Sequence, residues 1–289
     1  VASPPSATAS AANGASAASP RFDVVDLLDL QRRPVSRFAY CPSTEELFVS
    51  FDGDRALQQW SVPAARLVHT YPVERGFMVD ALSPSPDGRL LVAGLFRVED
   101  GASPHSEKYA LLDVARHAPV SLDLGIHDDR NATIDFGASG QRFRVRTSAS
   151  MGGPGSDLVY DTAGQTATAP AAEFPPKPRG RLHVVESSKA TIATHGLYYT
   201  DAEGHDTLVT RNHWHDNYGL TRDGQYVVAT TWDGEILAFS TATKAVVFTR
   251  KIAQQYGYLA YDEKHDRFLI ADAVFNGTST LRALVRVAP

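Results

Sequence analysis

Apolar and polar positions alternate with a period of two over much of the chain, most clearly in residues 217–250, NYGLTRDGQYVVATTWDGEILAFSTATKAVVFTR. That period puts successive side chains on opposite faces of an extended backbone, so each run predicts a half-buried strand. Gln225–Thr230 is rich in β-branched and aromatic residues, and Glu235–Phe239 and Ala245–Thr249 follow the same pattern. Between the runs stand Arg222-Asp223-Gly224, Trp232-Asp233-Gly234 and Ser240–Lys244. Asp-Gly between apolar runs is a hairpin signal, because glycine accepts the positive φ of a tight turn. The stretch predicts a four-stranded antiparallel meander. One meander cannot bury both of its faces, so further copies are expected to pack against it.

The same order of strands and turns recurs along the chain. SPDGRLLVAG (85–94), ASGQRFRVRT (138–147) and TRDGQYVVAT (221–230) hold the place of first turn and second strand. Copies start near residues 36, 79, 132, 181, 218 and 257, about 40 residues apart. Four strands per unit at that spacing predict an all-β fold, a β-propeller of six blades. Seven blades follow if 97–132 or 170–181 hides a degenerate unit. The last copy supplies three strands, and Asp23–Leu30, DVVDLLDL, is expected to add the fourth and close the ring. An amphipathic helix is the other reading of that octapeptide. Residues 21–289 are read as one propeller domain.

These repeats carry a family likeness. SPDGRLLVAG, TTWDGEILAFSTATK and SFDGDRALQQWSV resemble blades of WD-repeat and bacterial YVTN-type propellers, over roughly residues 22–287. No copy ends its third strand with Trp-Asp, and none opens with Gly-His. The Asp-His-Ser network of eukaryotic WD repeats is therefore not expected. The resemblance implies a fold and names no substrate.

Composition narrows the partners. A net charge of −5 and a pI near 6.1 argue against a nucleic-acid groove or an anionic membrane surface. No apolar run approaches the roughly 20 residues that span a bilayer. The single cysteine, Cys41, excludes an intrachain disulfide and paired-cysteine metal sites. Residues 1–20 hold eight Ala, five Ser, three Pro and no charge, which reads as a disordered tether. Such tethers often follow a removed signal peptide or a lipid-anchored first residue. Export to a bacterial periplasm or cell surface is the expectation, for a monomer with another protein as partner.

Propeller geometry sorts the loops. Second-to-third loops and blade-to-blade links emerge on one face, and the unusual residues gather there. The second-to-third set includes 97–108, His195-Gly196 and 232–235; the links include 125–131, Arg211–Asn217 and 252–256. His105, His127, Asp128, Arg130, Trp214, His215, Asp216, Trp232 and Tyr256 make up the expected binding face, because a rigid scaffold lets loops carry function. Aromatic side chains in that set suit a protein interface. In Asn212–Asn217, NHWHDN, two histidines one residue apart share a side of an extended segment. His195, His213, His215 and Asp216 could then hold a zinc or iron ion, which would make the chain a metal-dependent hydrolase or lactonase. The duller account is rim histidines capping loop carbonyls, with no cofactor. Arg37, Asp80, Asn131, Asn217 and Tyr256 are expected to face the axis. No G-x-S-x-G, H-E-x-x-H, Walker or G-x-G-x-x-G motif is present.

Overall fold

A computed structural model describes residues 21–30, 34–51, 53–97, 107–122, 124, 133–146, 157–174, 182–186, 195–252, 257–272 and 279–287. At 107, 120–121, 171, 184–186, 195, 212–216 and 272 it describes the backbone alone. Within these residues the fold is built from antiparallel strands, with one 3-10 turn at Ala171–Glu173.

The chain opens with β1 (Arg21–Asp29) and then lays down sheets in sequence order. β2 (Val35–Cys41), β3 (Glu46–Phe51), β4 (Ala56–Ser61) and β5 (Arg66–Pro72) form one four-stranded meander. β6 (Phe77–Pro84), β7 (Leu90–Arg97), β8 (Glu107–Asp113) and β9 (Ala118–Leu122) form the next. β10 (Thr133–Phe136), β11 (Arg142–Arg146) and β12 (Asp157–Asp161) make a three-stranded sheet. Its expected fourth strand shrinks to one bridge, Tyr160 with Thr166. β13 (Leu182–Glu186), β14 (His195–Thr200), β15 (Asp206–Leu220), β16 (Tyr226–Thr231), β17 (Glu235–Ser240) and β18 (Ala245–Lys251) join in a six-stranded sheet. β19 (Gly257–Asp262), β20 (Arg267–Asp272) and β21 (Thr280–Val287) complete the series.

The octapeptide read as strand or helix is a strand. β1 pairs antiparallel with β21, Phe22 opposite Arg286 and Val24 opposite Leu284, giving the order β1-β21-β20-β19. The N-terminus thus supplies the outer strand of the C-terminal sheet and covers its edge.

The fourth copy departs from the sequence reading. β13 pairs with β14, and β14 turns through Asp201–Gly204 into β15. That Asp turn is the kind joining third to fourth strands elsewhere, so β13 stands as a second strand. His195-Gly196 is accordingly not a loop: His195 begins β14, opposite Glu186. Arg211–Asn217, expected as a link, lies within the strand β15, whose register with β16 shifts between His213 and Tyr218.

The core lies between sheets. Leu47, Val49 and Phe51 of β3 pack on Leu269, Ala271 and Leu281 of the last sheet. Phe48 and Leu57 meet Leu91 and Leu112 across the following seam. Val92 and Tyr109 meet Phe143 and Val145 at the next. Val228 and Ile236 meet Phe268 and Leu284, and Leu197 and Tyr199 meet Val227 and Phe239. Side by side run the strands β15 and β19, β19 and β2, β2 and β6, and β6 and β10. Sheets stacked face to face around a line of first strands make the architecture propeller-like.

Candidate functional site

Antiparallel order divides the turns between two ends of the molecule. At one end, Gly88, Gly140, Gly164, Gly204 and Gly224 each close a turn with φ between +69° and +85°. Each donates its N–H to the carbonyl three residues back, at 2.8–3.2 Å. Glu45, Ala65, His117, Lys244 and Asp266 take the left-handed conformation in the other turns of this end. Side chains then tie turn to turn across the seams. Lys264 Nζ lies 2.5 Å from Glu45 Oε2, Lys244 Nζ 2.5 Å from Asp201 Oδ2, and Arg286 Nη1 2.5 Å from Asp223 Oδ2. His265 bridges the fully buried Asp262, at 2.8 Å, and Glu45, at 3.4 Å. Here Glu45, Asp201, Asp223 and Asp262 are committed to partners within the fold.

The other end is where the sequence places its unusual residues. Backbone register lines up three strands there: His195 stands opposite His213, and His213 opposite Thr231. The next residue, Trp232, opens the turn into β17. Gly234, at φ +75°, donates to the Thr231 carbonyl at 3.0 Å, and the Glu235 N–H donates to Thr231 Oγ1 at 3.1 Å. Lys251 Nζ donates to the Asp233 carbonyl and pins the turn to β18. The turn presents Trp232 at 39% exposure, the one aromatic among the exposed large apolar side chains described.

The backbone brings residues 195 and 213 together beside the Trp232 turn. The side chains of His195, His213, Trp214, His215 and Asp216 lie outside what is described. His105, His127, Asp128, Arg130, Asn131 and Tyr256 lie outside the described residues altogether. Among the described residues no group of three or more His, Cys, Asp and Glu is placed to hold a metal ion.

Of the residues expected at the axis, Arg37 and Asp80 do meet. Arg37 Nη2 donates to Asp80 Oδ1 at 2.6 Å, and Nε donates to the Asp80 carbonyl. Nη1 donates to the Ser36 carbonyl at 2.7 Å and to the Tyr258 hydroxyl at 3.1 Å. One guanidinium thus joins β2, β6 and β19. Burial works against its charge, but Tyr258 and Asp80 more than offset that, and the Arg37 pKa is raised. Asn217 Oδ1 accepts from the Leu259 N–H at 3.3 Å. Sequence reading passed over Tyr258 and a second polar group, in which Asp135 Oδ2 accepts from Arg146 Nη2 at 2.6 Å with Arg144 at 3.9 Å. The signal was available: RFRVR alternates, putting Arg142, Arg144 and Arg146 on one face of β11.

No helix among the described residues is long and apolar enough to cross a membrane. No protein-family model matches the chain, and no curated protein matches it. Solved structures do: a chain of the Kuenenia stuttgartiensis hydrazine synthase, a β-propeller-containing protein, is similar over 90% of this chain and 97% of its own, with a TM-score of 0.50 and 11% identity. At that identity the likeness speaks for the fold alone.

Proposed function

We propose that this chain is a six-bladed β-propeller, closed by its N-terminal strand, that binds another protein as a scaffold or inhibitor. Its working surface is the end that carries Trp232 and the 212–217 segment. The observation that carries the reading is Trp232, held out at 39% exposure on a hydrogen-bonded turn. An indole carried on a fixed turn offers a large apolar contact, which is why tryptophan is enriched at interfaces. At the other end several charged side chains already pair with one another across the seams. The uncharged Ala/Ser/Pro run of residues 1–20 supports a place in the periplasm or at the cell surface. The proposed molecule is a monomer without a cofactor.

The test is capture of partners from the native organism with immobilised wild type, Trp232→Ala and, as a control elsewhere on the surface, Leu158→Ala. Trp232→Ala is expected to weaken retention at least about tenfold, the scale of a modest interface anchor. Equal retention by all three proteins removes the reading. A second reading, a metal-dependent hydrolase or lactonase, draws on the register that sets His195 opposite His213. It expects stoichiometric metal in protein purified without chelator, lost in a His213→Ala/His215→Ala variant. Metal-free wild type rejects it.

A further inference from the structure

The seam between the β2–β5 and β6–β9 sheets carries a pair of imidazoles outside the site described above. His69, on β5, is half-buried, and His117 sits exposed in the turn between β8 and β9. Their rings are stacked, with centroids 4.0 Å apart and planes 15° from parallel. Tyr71 packs its ring edge-on against His69 at 4.6 Å. The Tyr71 hydroxyl donates to Gln59 Oε1 at 2.8 Å, and Gln59 Nε2 donates to Glu46 Oε1 at 2.8 Å. With its proton so used, the Tyr71 oxygen accepts from His117 Nδ1, 3.3 Å away. This chain fixes one tautomer for His117, with the proton on Nδ1. The turn adds a constraint of its own, because His117 holds φ at +55°, where a residue with a Cβ is strained.

Two neutral imidazoles stack favourably; two imidazolium ions at the same distance repel. The charged groups nearby do not relieve that repulsion. Glu46 is engaged by Gln59, and Asp113 faces Arg116 at 3.6 Å. Among the described residues, neither imidazole has a carboxylate partner. We propose that the His69–His117 stack makes this seam an acid-sensitive joint, closed while at least one ring is neutral and loosened when both are protonated. Stacking on His117 and packing in the seam fit this: burial first, and His117 second, hold the His69 pKa below the usual histidine value. The sign follows. The unfolded chain binds a proton at His69 more readily than the folded one, so the contribution is present above the unfolded value, about 6.5, and lost as pH falls below it.

The test is amide hydrogen exchange of wild type, His117→Gln and His69→Gln/His117→Gln at pH 7.5 and pH 5.0, corrected for intrinsic exchange. In wild type, peptides from β5 and the β8–β9 turn are expected to exchange about tenfold faster at pH 5.0, while β16 and β17 stay unchanged. Both variants are expected to lose most of that acceleration. An equal acceleration in the variants, or none in wild type, overturns the proposal. The exposed position of His117 keeps the single variant usable should the double variant fold poorly. In it, the NMR titration midpoint of His69 is expected to rise, and an unmoved midpoint counts against the joint.

Discussion

Arg37 shows how far one side chain can hold this architecture together. Its guanidinium reaches three strands from three different sheets. Lysine keeps the charge but not the fork, since a single ammonium cannot serve Asp80, Tyr258 and the Ser36 carbonyl in one plane. Arg37→Lys is therefore expected to lose much of what Arg37→Met loses, about 1–3 kcal/mol in a urea titration, because Asp80 keeps its burial without its partner. A lysine variant as stable as wild type would reduce the fork to a simple ion pair. Glu173 makes a related case. Ser85 and Thr221 donate their hydroxyls to Asp87 and Asp223 in the same turn, at 2.7 Å. The matching turn of the third sheet, Ala138-Ser139-Gly140, has no acid of its own. Glu173 arrives from the 3-10 turn and accepts from Ser139 Oγ at 2.5 Å. Its carboxylate occupies the space where a Cβ on Gly137 would stand. Gly137→Ala should thus destabilise wild type by about 1–3 kcal/mol, and by clearly less when Glu173 is already alanine. Additive costs in that double-mutant cycle would count against the contact.

At the scale of the element, the turns were legible and the strand inventory was less so. Ser85–Gly88 and Thr221–Gly224 announce themselves because only glycine takes their left-handed position without strain. Glu45, Ala65, His117, Lys244 and Asp266 also take the left-handed conformation, in sister turns, and leave no such mark in the sequence. Ala65→Gly is expected to raise stability by about 1 kcal/mol, measured as a higher denaturant midpoint, since Ala65 is exposed at φ +48° and its side chain gives up little. The rank of β13 was missed for a different reason. An apolar run shows that a strand exists, whereas its place in a sheet is set by partners distant in sequence. KPRGRLHVVE lines up with SPDGRLLVAG, which would have marked β13 as the counterpart of β7. Of the candidate site, the Trp232 turn was legible from its Asp-Gly signal, whereas the backbone pairing of residues 195 and 213 arises from strands that the sequence reads as loops. Tyr258 could not, because its role depends on an arginine more than 200 residues away. β1 was legible as an edge-closing strand, and Phe22 is the residue that commits it. It is 6% exposed and meets Tyr226 edge-on at 5.1 Å. Phe22→Ala should cost about 3–4 kcal/mol, read from thermal unfolding.

The whole molecule is held at one end by a set of carboxylates, and that dictates its response to acid. Asp262 is fully buried. Burial opposes its charge, but hydrogen bonds from Arg267 and His265, both 2.8 Å, outweigh the penalty and hold its pKa below the ordinary aspartate value. Asp223 is lowered in the same way, with burial outweighed chiefly by Arg286. A depressed carboxylate pKa contributes stability that is complete above the unfolded value, about 3.9, and is lost as pH falls through the folded one. The denaturant midpoint of the full chain should therefore fall most steeply below about pH 4, separate from the shallower histidine effect that begins below the unfolded histidine value, about 6.5. The two limbs can be assigned by substitution. Asp262→Asn removes a titrating group while leaving Arg267 a weaker acceptor, so it should lower the plateau at neutral pH and flatten the acid limb. Because β19 and β20 meet β2 and β3 at this point, the loss should be felt by the whole fold in one transition rather than by the last sheet alone. An Asp262→Asn curve that runs parallel to wild type down to pH 2 would move the acid sensitivity to the exposed pairs, which salt screens. Adding 1 M sodium chloride discriminates between these outcomes, since it should weaken Lys264–Glu45 and leave the buried Asp262 set nearly untouched.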